Sequence, residues 1–445
     1  MRLLLAFAII AAYIAFTVAI LRAHRKKAAA RDAADGDSDA EHAAPLLVAF
    51  ASQSGYAEQL AWQTARSLRA ANVPSRVRSF ADLSAEELAK AERALFVVST
   101  YGEGDPPDAG LAFMKTVMSK TPPLSRLAYG VLALGDRTYR NFCGFGRTLD
   151  GWLKRQCAVP MFDLIEVDNA DEAALLHWRQ AVGTLAGDDE LLEWAAPRNE
   201  RWQLSARRLL NPGSAGHPCF HIELKPLDGS KMEWKAGDIA VLTPPGAGPR
   251  EYSIASIPSE GALHILVRQS RRADGSLGVA SGWLTEHATI GADIPLRIRT
   301  NANFHSPPDS RPLILIGNGT GLAGLRSHLK SREGTPAMNW LIFGERNARH
   351  DTFYRDDLTR WQSSGLLARL DLAFSRDQPE RVYVQHLIER AARDLREWVA
   401  HGASIYVCGS AEGMAAAVDA QLAAALGRET LDQLITDRRY RRDVY

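Results

Sequence analysis

The chain has 445 residues, enough for two or three domains of ordinary size. Hydrophobic residues make up 46% and charged residues 24%, the proportions of a globular protein rather than a disordered one. A net charge of +1 argues against a nucleic-acid partner, and four scattered cysteines (Cys143, Cys157, Cys219, Cys408) offer neither a disulfide framework nor CxxC metal spacing, which points to a reducing compartment and no metal.

Leu3 to Leu21 is a run of nineteen uncharged residues, long enough to cross a bilayer as a helix. Arg22, Arg25, Lys26, Lys27 and Arg31 follow at once, which would keep the rest of the chain on the cytoplasmic side. The expectation is a single-pass membrane anchor over 1–22 and a flexible tether over 23–44 rich in Ala, Asp and Gly. A cleaved signal peptide, and with it a secreted binding protein, is the competing reading. It fits poorly, because the basic residues lie after the apolar run.

Leu46 to Phe50 reads as a buried strand, followed by Ser52-Gln53-Ser54-Gly55-Tyr56-Ala57 and a helix with Leu60, Ala61, Ala65 and Leu68 on one face. Strand, hydroxyl-rich turn and helix make an anion site, because N–H groups and serine hydroxyls gather at the positive end of the helix dipole. No GxxxxGK[ST] is present, so a phosphate monoester fits better than a nucleoside triphosphate. A plain serine N-cap is the alternative.

A second apolar run, Ala94 to Val98, leads into Ser99-Thr100-Tyr101-Gly102-Glu103-Gly104-Asp105-Pro106-Pro107-Asp108. Such a loop can lay Tyr101 flat on a planar ring and surround that ring with carboxylates. A third run, Tyr129 to Leu134, ends in Gly135-Asp136-Arg137-Thr138-Tyr139-Arg140-Asn141-Phe142-Cys143. In a doubly wound parallel sheet these three loops meet at the carboxyl edge, where ligands bind. One loop takes phosphate and two present aromatics, Tyr101 and Tyr139, to a flat ring. That describes an FMN pocket.

From Pro197 the pattern turns β-rich: Trp202 to Leu210, Cys219 to Leu224 and Ile239 to Thr243 are strand-like. Arg250-Glu251-Tyr252-Ser253 opens another strand and could offer a cation for pyrophosphate, a ring for stacking and a hydroxyl for a flavin ring nitrogen, although taken alone it reads more readily as a strand end with a surface arginine. Gly278-Val279-Ala280-Ser281 is a second small-residue turn at a helix start, suited to phosphate. From Pro312 strands and helices alternate. The strand Leu313 to Ile316 runs into Gly317-Asn318-Gly319-Thr320-Gly321, a turn that lets a nucleotide approach the backbone, with Thr320 in reach of a nicotinamide. Beyond the strands Trp340 to Gly344 and Leu370 to Phe374 stand Ser375, Arg376, Arg381, Tyr383 and Gln385. Two arginines and a serine suit a ribose 2′-phosphate, with an adenine stacked on Tyr383, which favours NADPH over NADH; a solvated basic turn is the alternative. Ile405 to Gly409 places Cys408 at a strand end, and the chain stops at Arg442-Asp443-Val444-Tyr445.

In this order the segments resemble the diflavin reductase family, which includes the flavoprotein subunits of NADPH–sulfite reductases and the NADPH–cytochrome reductases. The resemblance covers nearly everything after the tether. It implies a flavodoxin-like FMN domain over 45–187, a linker over 188–198, and a ferredoxin-NADP reductase-like module. That module would be an antiparallel β-barrel FAD domain over 199–308 and an α/β NADPH domain over 309–445. FMN would be held by Ser52 to Ala57, Ser99 to Gly102 and Leu134 to Cys143. FAD would be held by Arg250 to Ser253 and Gly278 to Ser281. NADPH would lie on Thr320, Ser375, Arg376, Arg381, Tyr383 and Gln385. The family's hydride-transfer group falls on Ser253, Cys408 and Asp443, with Tyr445 stacked on the FAD ring.

The chain also departs from the family. Only Pro244 to Pro249 stand where a large helical insert is usual. Asn318 and Gly324 replace prolines, Ser410 and Ala417 replace aspartates, and Arg381 replaces a lysine. The expected function is a membrane-anchored NADPH-dependent diflavin oxidoreductase. Electrons would run from NADPH to FAD to FMN and out to a one-electron acceptor, a haemoprotein or an iron chelate. Glu103, Asp105, Asp108 and Asp136 would form an acidic rim that lowers the FMN potential and steers a basic acceptor protein. Two alternatives stand beside this: a sulfite reductase flavoprotein component, and an FMN-binding electron carrier with little nicotinamide turnover.

Overall fold

Three apolar strand sets, each with its own hydrophobic pattern, build three sheets in the computed structural model, which describes residues 45–445 apart from Thr121, Thr138, Ala170, 188–198, Asp228, Ser230 and Ala273. The first sheet is parallel, with β1 (Leu46–Ala51), β2 (Ser75–Ser79), β3 (Arg93–Ser99) and β4 (Ala128–Gly135) in the order β2-β1-β3-β4. The far edge is shared by β5 (Val159–Pro160) and β6 (Ile165–Asp168), both paired with β4. This is the flavodoxin-like order, and it brings the ends of β1, β3 and β4 together at one edge. Leu60, Ala61, Ala65 and Leu68 of helix α1 (Tyr56–Ala70) are buried against one face of the sheet, as their spacing predicts. Phe113 of helix α2 (Asp108–Thr116) packs on the other face with Phe80, Phe96 and Phe145.

The second sheet is antiparallel, in the order β10-β9-β12-β7-β8-β11. Its strands are β7 (Glu200–Leu209), β8 (Cys219–Pro226), β9 (Ile239–Leu242), β10 (Arg250–Ser253), β11 (Leu263–Arg268) and β12 (Asp293–Arg299). A bridge between Ile254 and Ile265 joins the two ends into a barrel. Period-two alternation sends Ile222, Leu224, Leu263, Ile265, Val267, Ile294 and Leu296 into its core with Trp202.

The third sheet is parallel, in the order β15-β14-β13-β16-β17. It comprises β13 (Leu313–Asn318), β14 (Asn339–Glu345), β15 (Leu367–Phe374), β16 (Ser404–Gly409) and β17 (Tyr440–Val444). Buried on both faces, β13 and β16 read as continuous apolar runs. Helix α3 (Leu322–Ser331) follows β13 directly after the glycine-rich turn. These arrangements are those expected of a flavodoxin-like fold joined to a ferredoxin-NADP reductase-like module.

The membrane expectation needs correction. The anchor (1–22), the tether (23–44) and the linker (188–198) lie outside the described residues. Among the described residues no helix is long and apolar enough to cross a membrane. The two 15-residue helices, Tyr56–Ala70 and Glu172–Ala186, would each span only about 22 Å of a hydrocarbon core about 30 Å thick. The transmembrane helix, the membrane as partner and the single-pass location find no support among the described residues.

Candidate active site

The three loops at the edge of the first sheet do meet. Thr100 N–H donates to the Leu134 carbonyl at 2.8 Å, and Arg140 N–H to Glu103 Oε2 at 3.1 Å. A Cβ on Gly104 would lie 2.5 Å from that of Asn141, so the Tyr101 loop rests directly on the Tyr139 loop. In the first loop Gly55 N–H donates to Ser52 Oγ at 2.9 Å, and Gly55 takes a left-handed φ of 87° just before α1. Gln53 N–H is 3.3 Å from Ser99 Oγ. Thr100 Oγ1 is buried with no hydrogen-bond partner, the kind of orphaned polar atom that a bound ligand satisfies. Tyr101 and Tyr139 are both half-buried, and burial pushes the Tyr101 phenol up to about 12. Phe142 and Cys143 turn inward instead. Phe142 lies under the Arg137 guanidinium at 4.7 Å, and Cys143 Sγ donates to the Ala133 carbonyl at 3.3 Å. The loops fit FMN through backbone, hydroxyls and Tyr rings, with Phe142 and Cys143 supporting from behind.

The expected acidic rim is less free than the sequence suggests. Asp108 is ion-paired with Arg442 and also contacts Gln53, whose Nε2 is 3.3 Å from Asp108 Oδ2.

On the barrel, Arg250, Tyr252, Ser270, Arg272 and Gly278 to Ser281 line a cleft of about 390 Å³. Ser281 Oγ accepts from Ser270 N–H at 3.1 Å, which fixes the small-residue turn against β11. A neighbouring cleft of about 190 Å³ is lined by Glu251, Tyr252, Ser253, Arg268, Thr320 and Tyr445 among others. Pyrophosphate and ring sites side by side suit FAD. Glu251 lines this cleft as well, and Arg299 holds its carboxylate with two nitrogens.

The sequence-distant Ser253, Cys408 and Asp443 come together. Ser253 Oγ donates to Asp443 Oδ2 at 2.7 Å, and Cys408 Sγ lies 3.7 Å from the same oxygen. The register of β16 on β17 sets Cys408 opposite Asp443. Burial raises the Asp443 carboxyl to about 6, against the Ser253 hydrogen bond that pulls it down. Burial and the neighbouring carboxylate also push the Cys408 thiol well up, so it stays uncharged.

A cleft of about 680 Å³ runs over the ends of β13, β14 and β15. Thr320, Ser375, Arg376, Tyr383, Gln385 and Tyr445 all line it. Arg381 is exposed and is not among the lining residues. Gly321 has to be glycine here, since a Cβ would sit 2.1 Å from the Cys408 carbonyl oxygen. The cleft suits an extended dinucleotide with Arg376 and Ser375 at one end. Tyr445 lines both this cleft and the smaller ring cleft, with its hydroxyl 3.2 Å from Thr320 Oγ1.

One residue passed over in the sequence stands out. Arg268 ends β11, lines all three clefts and pairs with Glu345. Its one signal is a charge closing the apolar run Leu263 to Val267. Asn318 stands where the family has a proline, and its Oδ1 accepts from Ser410 N–H at 3.1 Å, tying together the loops that follow β13 and β16. Apart from the clefts, ligand atoms of His221, Glu223 and His264 lie within 4.8 Å of one another. His221 is already engaged there, with Nδ1 2.7 Å from the Tyr354 hydroxyl and Nε2 3.2 Å from Glu223.

Comparison with known proteins agrees with this geometry. Residues 48–178 match the flavodoxin family model, and residues 315–420 match the oxidoreductase NAD-binding domain model. The chain is similar to proteins named sulfite reductase [NADPH] flavoprotein alpha-component. The one from Vibrio parahaemolyticus is 29% identical, with 96% of this chain and 90% of the relative covered. That from Vibrio cholerae is 28% identical (90% and 87% covered), and that from Aliivibrio fischeri 28% (91% and 89%). The first alignment runs over 565 positions against 445 residues here, so the relative has segments that this chain lacks. These relatives overturn the preference for a membrane-anchored reductase of a haemoprotein or iron chelate. They favour the alternative of a sulfite reductase flavoprotein component. The chain is an NADPH-dependent flavoprotein oxidoreductase, and its cofactors are FMN, FAD and NADPH.

Proposed function

We propose that the chain is the electron-donating flavoprotein of a sulfite-reducing system, receiving electrons from NADPH beside Ser253, Cys408 and Asp443 and releasing them at the Tyr101 loop to a partner protein. Its domains are FMN-binding over 45–187, FAD-binding over 199–308 and NADPH-binding over 309–445. Bound FAD and FMN supply the chemistry, because flavins accept a hydride and can pass electrons on singly. The protein supplies position and charge.

Ser375 and Arg376 hold the 2′-phosphate end of the dinucleotide, with Tyr383 as the adenine platform. Arg381 is close enough in sequence to add charge from outside the cleft. Asp443 is ionised above about pH 6. A fixed carboxylate at this depth stabilises the positive charge that a nicotinamide gains as it gives up hydride. Ser253 holds that carboxylate in place, and the neutral Cys408 thiol keeps a second negative charge away. Arg250, Tyr252 and the Gly278 to Ser281 turn seat the FAD, while Ser52 to Ala57, Ser99 to Gly102 and Leu134 to Cys143 seat the FMN.

The observation that carries this reading is the placement of Tyr445, which is 54% exposed and forms a wall common to the nucleotide cleft and the ring cleft. A nicotinamide reaches the ring cleft only when that side chain moves. The test is reconstitution: holoprotein, NADPH, sulfite and the sulfite-reducing component of a bacterial enzyme are combined, and sulfide is measured. Sulfide formation that depends on this chain is expected. Flavins reduced by NADPH with no sulfide formed would contradict the assignment of the partner.

A further inference from the structure

We propose that Arg442 is a positioning residue, a buried latch that fixes the FMN loops against the last strand so that the two flavin sites sit on opposite faces of β17. This rests on reading the Tyr101 loop as the FMN site and Ser253 with Asp443 as the hydride site. Successive residues of a strand point to opposite faces. Asp443 faces Ser253 and Cys408, whereas Arg442 faces the first sheet.

Arg442 is only 9% exposed. Its guanidinium pairs with Asp108, lies 4.6 Å from the centre of the Tyr101 ring, and has Asp419 at 3.9 Å and the Tyr440 ring at 5.4 Å. Its carbonyl oxygen accepts from Gln53 Nε2 at 2.9 Å, and Gln53 Oε1 accepts from Asp108 N–H at 3.1 Å. Thus a phosphate-loop residue, the first residue of α2 and the last strand close on one another. Among the described residues, the other ion pairs from the first sheet to the third-sheet portion are Arg438 with Asp82, largely exposed, and Lys115 with Asp432, partly exposed. Such pairs contribute little, while breaking a buried pair leaves an uncompensated charge. The side chain of Arg442 therefore sets the approach of Tyr101 to the strand that carries Asp443. The effect on transfer follows from position: a displacement of about 1 Å at a reacting pair can cost about a hundredfold.

The test compares Arg442→Ala, Arg442→Lys and, should the alanine variant fail to fold, Asp108→Asn. Small-angle scattering of the flavin-free proteins reads the latch without any turnover. Anaerobic mixing of the loaded proteins with NADPH reads FAD and FMN reduction as separate phases. Arg442→Ala, or Asp108→Asn in its place, should enlarge the radius of gyration and slow the FMN phase about tenfold or more. The FAD phase should stay within about twofold, since Arg442 faces away from Ser253, and lysine should recover part of the loss. An unchanged scattering profile with an unchanged FMN phase would overturn the proposal. If wild-type protein binds no FMN, or shows no FMN phase at all, the reading of the Tyr101 loop has failed instead.

Discussion

Ser253 Oγ donates a 2.7 Å hydrogen bond to Asp443 Oδ2, joining the barrel strand β10 to the last strand of the third sheet across 190 residues of sequence. A buried hydrogen bond to a charged group contributes about 2 kcal/mol. Ser253→Ala should therefore slow FAD reduction by NADPH about 30-fold while leaving NADP⁺ affinity nearly unchanged, because Ser253 does not line the nucleotide cleft. Single-turnover mixing and equilibrium titration measure the two quantities separately.

The role proposed for Asp443 would make the reaction pH-dependent. Its carboxyl titrates near 6 in the folded chain against an ordinary value of 3.8. If the carboxylate is the working form, hydride transfer rises as pH passes through about 6, and Asp443→Asn gives a flat, low profile. The stability effect has a definite sign. The folded state holds this proton more tightly, so the contribution of Asp443 to stability falls between pH 3.8 and about 6 and is level above that. Thermal melts should show Asp443→Asn gaining on the wild type across that window.

In the proposed mechanism Tyr445, a wall of both clefts, competes with the nicotinamide for the ring cleft. Removing an aromatic stack worth about 1 kcal/mol should shift nucleotide preference about fivefold to tenfold. Deletion of Tyr445 should tighten dinucleotide binding and reduce the ratio of kcat/KM for NADPH over NADH. An unchanged ratio would show that the side chain is a passive wall.

The phosphate end decides which nucleotide is used. Ser375→Ala with Arg376→Ala should raise the KM for NADPH about 10- to 100-fold through lost charge-assisted hydrogen bonds, with the KM for NADH within about twofold. Arg381→Ala should have a smaller effect than Arg376→Ala, since Arg381 does not line the cleft. Steady-state kinetics with both nucleotides checks each point.

Much of this arrangement is legible in the sequence because parallel strands announce themselves as apolar runs. β1, β3, β4, β13, β14 and β16 fall within a residue or two of the apolar segments. Strand β2 is not legible: Ser75–Ser79 reads SRVRS, and only Val77 is buried in it. It sits at the sheet edge, where pairing with β1 and not side-chain burial defines it. β17 is hidden for a similar reason, since Tyr440–Val444 carries three charged residues. Two of those, Arg442 and Asp443, are charged because they serve opposite faces. Residue type and spacing expose Tyr101, Arg250 and Ser375, whereas the partner of Asp108 is fixed only by the fold. The apolar segment at 3–21 shows the reverse hazard, for its length and the basic residues after it point to a membrane anchor that the relatives do not favour.

In the proposed function, electrons cross from the Ser253–Asp443 site to the Tyr101 loop. Anaerobic stopped-flow mixing of the holoprotein with NADPH, followed at flavin wavelengths, tests it most directly. FAD and FMN are expected in equal amounts, with FAD reduced first, FMN reduced only afterwards, and FAD still reduced when FMN has been removed. FMN reduced by NADPH in protein stripped of FAD, or a single flavin in the purified protein, would contradict it.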